Sequence, residues 1–340
     1  MDGQRLLRMV KSIGDFFRLI RWLDLLFIAL IFFLVYKQIL THFYAIDGTV
    51  MPISTLEYIL ISLAFILMSA AGYALNDYYD YGMDEINKPD KLILHHKLPY
   101  KTGLYSFIIL ITLGILLSFY QCLVWKNGEI FIIYLFIAAL FWFYSSKYKR
   151  ELIIGNVIVS FIAALTIILP WLIIIFEGMD AHLLPVSMWK SMNFFIFSYA
   201  FLSFFITFAR EIVKDIQDNE GDKAYGCQNI PIKYGIKTAK LVVTISMILI
   251  LIELIYISVR LFSSAYNIMG YFFALVLIPF AIYIIIMTSR AKEKSQWKNI
   301  SDTMKVYMLA GILSMFLIMV KQMLLLQQVS SIIRRFLYLI

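Results

Sequence analysis

Long apolar runs recur along the whole chain, and nothing in the sequence constrains its fold more. A helix needs roughly 20 apolar residues to cross the hydrocarbon core of a bilayer. Nine runs of that order are legible, at about 22–40, 54–75, 104–124, 129–146, 151–176, 192–211, 239–262, 267–288 and 304–325. Lys126–Asn127–Gly128 reads as a tight turn between the third and fourth. Hydrophobic residues make up 62% of the 340 and charged residues 15%, whereas a soluble domain is about half apolar and about a quarter charged. The chain is therefore an all-α, polytopic membrane protein with one transmembrane domain spanning 1–340.

The net charge of +8 does not point to nucleic acid, because the basic residues lie between the apolar runs. With a cytoplasmic N-terminus, 23 of the 30 Lys and Arg residues fall on the cytoplasmic side, as the positive-inside rule requires. Lys321, Arg334 and Arg335 of the tail are the external residues that fit this least well. Residues 1–20 hold Arg5, Arg8, Lys11 and Arg18 among Leu6, Val10, Ile13 and Phe17. They read either as a cationic helix on the membrane surface or as a frayed basic tail. Cys122 and Cys227 form no disulfide framework or metal knuckle. The adjacent His95 and His96 do not share a helix face and read as a polar loop pair.

Two cytoplasmic segments are unlike the others. Asp77, Asp80 and Asp84 follow the second run, and Asp215, Asp218 and Asp222 follow the sixth; both sets have the pattern D-x-x-D-x-x-x-D, offset by 138 residues throughout. The constant offset suggests an internal duplication, with 21–150 and 151–288 as four-helix halves and 289–340 as a last span and tail. If each helix continues past its apolar run, Asn76, Asp80 and Asp84 share one face, and so do Asp215, Asp218 and Asp222. Carboxylates gathered in this way repel one another, and a bound cation relieves the repulsion. Oxygen-only ligands favour magnesium or calcium. Magnesium in particular is held by a few carboxylates together with substrate phosphate oxygens, so the paired clusters point to Mg²⁺ and a diphosphate. Lys88, Lys91, Lys149, Arg150, Arg210 and Lys214 stand nearby to meet the remaining phosphate charge.

These residues resemble the UbiA superfamily of intramembrane prenyltransferases. Its first motif, N-D-x-x-D-x-x-x-D, is matched by Asn76, Asp77, Asp80 and Asp84. Its second, D-x-x-x-D, is matched by Asp218 and Asp222 in an R-E-I-x-K-D setting from Arg210. Tyr144 to Lys149–Arg150 resembles its Tyr…Lys-Arg segment. The resemblance implies a helical ring around a central cavity. Asn76, Asp80, Asp84, Asp218 and Asp222 would act on the metal with support from Asp77 and Asp215, and Lys91, Lys149 and Arg150 would neutralise the leaving group. A prenyl diphosphate would ionise and a hydrophobic acceptor would capture the cation, with Tyr73, Tyr78, Tyr81 or Tyr144 as candidate stabilising faces.

The chain departs from the family pattern at several positions. Lys88 and Lys91 replace arginines, Leu92 replaces a proline, Leu94-His95-His96-Lys97 lacks a small Ser-Gly pair, and Asp24 stands where many members carry asparagine. Within the superfamily, Asn87-x-Pro89 and the R-E-I-x-K-D setting look closest to members that prenylate geranylgeranylglyceryl phosphate. Quinone-precursor, haem and chlorophyllide prenyltransferases share the metal motifs. A cation-coupled transporter is the alternative from another class; it would place its carboxylates near the bilayer midplane.

Overall fold

The computed structural model describes residues 3–177 and 185–319. Among the described residues there are nine helices long and apolar enough to span a membrane: Trp22–Asp47, Thr55–Asn87, Thr102–Trp125, Gly128–Ser146, Ile154–Phe176, Val186–Gln217, Ile230–Phe262, Asn267–Arg290 and Lys294–Met319. All nine runs read from the sequence are thus helical. Residues 320–325 of the ninth expected run, together with Lys321, Arg334 and Arg335, lie outside the described residues. Gly3–Leu19 forms a separate helix, the helical alternative for the basic N-terminus. It is docked through Leu19, which is fully buried against Ala74, Leu94 and Leu98, and it leaves Ile13 and Phe17 exposed.

The main departure from the expected boundaries is length. The second span has 33 residues and the sixth has 32, so at 1.5 Å per residue each rises about 50 Å, against a hydrocarbon core of about 30 Å. The second keeps its helix through the whole first acidic motif because no breaker occurs before Pro89, which disfavours helix in the residue before it. The sixth stops at Gln217. Asp218 turns the chain, and Asn219–Ala224 forms a short helix of its own, so the second cluster does not lie along one continuous helix face. The seventh span begins at Ile230, well before its apolar run. Asn229 caps it by accepting from the Ile232 amide at 3.2 Å, and Gly235, at φ 82°, kinks it.

The spans pack largely in chain order. The second lies against the third and fourth, the fifth against the sixth, and the sixth against the seventh and ninth; the first span touches the second, fifth, sixth and ninth. Polar side chains satisfied across these interfaces pin the helices together, because an unpaired group in hydrocarbon is costly. Tyr58 Oη donates to the Phe32 carbonyl at 2.7 Å, Tyr134 Oη to the Ile61 carbonyl at 2.9 Å, and Tyr199 Oη meets Ser314 Oγ at 2.7 Å. Small residues let the second span approach its neighbours closely. A Cβ on Gly72 would lie 2.3 Å from the Phe141 ring.

Overpacking a close helix contact costs about 1–3 kcal/mol. Gly72→Val is therefore expected to lower the melting temperature of the detergent-solubilised protein clearly. Gly14→Ala, in a helix with open space around the position, should not lower it, since alanine favours helix over glycine.

Candidate functional site

Both acidic motifs lie where the over-long second and sixth spans end, and lysines tie them together. Lys88 Nζ donates to Asp218 Oδ2 at 2.5 Å and lies 4.0 Å from Asp84 Oδ1. One ammonium thus bridges the two clusters. Asn87 repeats the link: its Oδ1 accepts from the Gly221 amide at 2.8 Å, and its Nδ2 points at Asp222 Oδ1 at 3.4 Å. The approach requires glycine, since a Cβ at Gly221 would meet the Asn87 side chain at 2.6 Å and the Met83 carbonyl at 2.7 Å. Asn229 Nδ2 donates to Asp222 Oδ2 at 2.9 Å. Asn229 was not singled out by the sequence reading, although its place before an apolar helix is an N-cap signal.

The third arm comes from the segment after the fourth span. Lys149 Nζ pairs with Asp80 Oδ2 and donates to Asn76 Oδ1 at 3.2 Å, while Asn76 Nδ2 donates to Asp80 Oδ2 at 2.6 Å. Asn76 and Asp80 are both buried. Gly155 allows the segment to fold back, because a Cβ there would lie 2.7 Å from the Tyr148 carbonyl. Arg150 donates to the Tyr79 carbonyl at 3.4 Å, and its own carbonyl accepts from the Gln228 amide at 3.0 Å. Burial works against the Lys149 ammonium, but Asp80, with Tyr144 and Asp84, outweighs it and holds the pKa above the ordinary lysine value.

Other expected residues have further partners of their own. Asp77 accepts from Arg21 Nη2 at 2.7 Å and lines one pocket with Asp84 and Lys88; Arg21 also lies over the Tyr73 ring at 5.1 Å. No motif in the sequence distinguishes Arg21 from the other basic residues between the apolar runs. Asp215 accepts from Asn156 Nδ2 at 2.8 Å. Asp24 is exposed, within electrostatic range of Arg21 and Tyr73. Tyr144 is half-buried near Lys149. Arg210 and Lys214 gather around Glu211 within the sixth span. The Lys91 side chain lies outside the described residues. Tyr78 stacks on Tyr100 at 4.5 Å, and Tyr81 packs against His95 at 4.7 Å, so both rings are engaged in packing.

The donor set can be tested against a metal. Among the described residues no group of three carboxylate, histidine or thiol side chains could hold an ion, which argues against an all-protein cage. Carboxylates joined through shared lysines and asparagines fit the alternative, a hard cation held by a few carboxylates and completed by phosphate oxygens. Asp218 Oδ1 is buried without a hydrogen-bond partner. Burial, reinforced by Asp218 and Asp80, pushes the Asp222 carboxyl up to about 6 although Lys149 and Lys88 pull it down. The site thus gathers more buried negative charge than its lysines offset.

Known proteins resemble this chain. The family profile described as the UbiA prenyltransferase family matches residues 29–309. The chain is 32% identical to a digeranylgeranylglyceryl phosphate synthase from Methanosphaera stadtmanae over 76% of this chain and 86% of that protein. A solved structure from work on digeranylgeranylglyceryl phosphate synthase is similar with a TM-score of 0.58 at 24% identity, covering 89% of this chain and 97% of that one. A UbiA homologue from Archaeoglobus fulgidus, solved with GPP and Mg²⁺, gives a TM-score of 0.51 at 15% identity over 88% and 99% of the two chains.

The raised Asp222 gives a pH dependence of defined sign. Its folded pKa lies above the ordinary 3.8, so folding takes up a proton between the two values and stability falls as pH rises through about 6. Without added metal, Asp222→Asn is expected to raise the melting temperature most at pH 8, by roughly half as much at pH 5, and little below the ordinary 3.8, where both states are protonated. A shift independent of pH would refute this titration.

Proposed function

This chain belongs to the UbiA prenyltransferase family, and on that premise we propose that it transfers a prenyl group from an allylic diphosphate to a lipophilic acceptor within the membrane. The observation that carries this reading is the bridge of Lys88 and Asn87 between two acidic motifs 130 or more residues apart, beside the Lys149–Asp80 pair. Carboxylates at the ends of spans, rather than mid-span, also favour it over cation-coupled transport. N-terminus and both motifs face the cytoplasm in this reading, which rests on the distribution of Lys and Arg.

Asn76, Asp80, Asp84, Asp218 and Asp222 would hold Mg²⁺, with Asp77 fixed by Arg21 and Asp215 fixed by Asn156 supporting them. Bound Mg²⁺ would supply positive charge to the departing diphosphate. Lys88, Lys149 and Arg150 would donate to its oxygens, and charge-assisted bonds of this kind are among the strong ones. Lys91 is close enough in sequence to join them. The allylic C–O bond breaks with its electron pair leaving on the diphosphate; the acceptor hydroxyl oxygen forms the new C–O bond and releases its proton. An apolar interior keeps water from intercepting the cation. The relative from Methanosphaera stadtmanae supports geranylgeranylglyceryl phosphate, or a close analogue, as the acceptor.

Purified protein with Mg²⁺, labelled geranylgeranyl diphosphate and geranylgeranylglyceryl phosphate should yield the doubly prenylated product by mass spectrometry. Asp80→Ala and Asp218→Ala should abolish it; normal transfer by both would sink the assignment. Lys149→Met should lower kcat by about 10²–10³, the usual loss on removing a group that stabilises developing charge. Lys149→Arg should recover part of that rate.

A further inference from the structure

The sixth span carries a charged group that the diphosphate site does not use. Arg210, Glu211 and Lys214 all lie inside the membrane-spanning helix Val186–Gln217. Ionisable residues in membrane-spanning helices are costly and face interior cavities or partners rather than lipid. Their side chains are 20%, 12% and 30% exposed. Arg210 and Lys214 recur at four-residue spacing with Asp218 just beyond the helix, so the three follow one face. At 1.5 Å per residue, Lys214 lies about 6 Å and Arg210 about 12 Å below Asp218 along the axis.

Charge within this group is unbalanced. Lys214 Nζ donates to both Glu211 oxygens, at 2.8 and 3.0 Å. Arg210 Nη1 approaches the same carboxylate only at 3.5 Å, and Arg210 Nε is buried with no hydrogen-bond partner. Two cations thus share one anion. The less engaged is a guanidinium, whose planar fork of donors matches phosphate oxygens two at a time. In the proposed function Lys88, Lys149 and Arg150 meet the diphosphate at the helix ends, and Arg210 lies two helical turns deeper than Asp218.

We infer that Arg210, assisted by Lys214, binds the phosphate of the acceptor, so that the enzyme selects a phosphate-bearing lipid alcohol over a neutral one. This assignment rests on the proposed function above. On a glyceryl phosphate the nucleophilic hydroxyl is next to the phosphate-bearing carbon. Anchoring that phosphate one to two turns below Asp218 leaves the hydroxyl on the side facing the allylic carbon.

The test compares geranylgeranylglyceryl phosphate with its dephosphorylated alcohol, each with geranylgeranyl diphosphate and Mg²⁺. Wild-type protein should prefer the phosphate acceptor strongly. Arg210→Ala should raise KM for that acceptor at least tenfold, leave KM for geranylgeranyl diphosphate and the Mg²⁺ half-saturation within twofold, and erase most of the preference. Arg210→Lys, which keeps the charge without the fork, should fall between. Should the alanine variant not fold, Arg210→Gln and Arg210→Lys give the same comparison. Undiminished preference in the variants, or a KM change confined to the diphosphate, overturns this assignment alone. Wild-type protein that prenylates neither acceptor overturns the proposed function with it.

Discussion

Negative charge gathered where two helices leave the bilayer has to be balanced, and much of the structure around it follows from that need. Asp80 and Asp218 are too enclosed for water to screen them fully, and each takes an ammonium: Lys149 for the first and Lys88 for the second. Those lysines come from different segments, so balancing the charge also joins the second span, the sixth span and the turn after the fourth. Asn87, Asn229 and Gly221 add neutral links to the same junction. An ion pair buried in this way is weak as a source of stability. Its value here is placement, since it holds oxygen and nitrogen atoms at one point between otherwise separate helices.

Helix length is what makes the junction possible. A span of about 20 residues would end at the membrane surface, but the second and sixth are about a dozen residues longer, and their ends bring the charged side chains together. The two ends then differ. The second continues unbroken to Asn87 and presents Asn76 and Asp80 to Lys149 while Asp77 turns to Arg21. The sixth breaks at Asp218, and the short helix that follows brings Asp222 back to Asn87 and Asn229. Equal spacing in sequence therefore gives unequal geometry, and the two motifs meet as complementary parts rather than copies.

The polar layer below the junction extends the same logic into the membrane. Glu211 is paired with Lys214 more closely than with Arg210, so one guanidinium remains underused at a depth where charge is expensive. In the proposed reading the acidic junction takes the diphosphate, and Arg210, two turns from Asp218, takes the phosphate of the acceptor.

The sequence by itself determined the spans, the acidic motifs and the family, because each depends on local chemistry: apolar length for crossing lipid and fixed spacing along a helix for gathering carboxylates. It also indicated Lys88, Lys149 and Arg150, whose charge is visible wherever they fold. Only the tertiary structure decided which carboxylate each lysine meets, that Arg21 is the partner of Asp77, and that Tyr78 and Tyr81 pack against Tyr100 and His95. The partners concerned are 14 to 130 residues apart, and one of them depends on a break at Asp218. No periodicity along a chain encodes such distances, since they are set by how helices pack once the bilayer and the buried charge have fixed their ends.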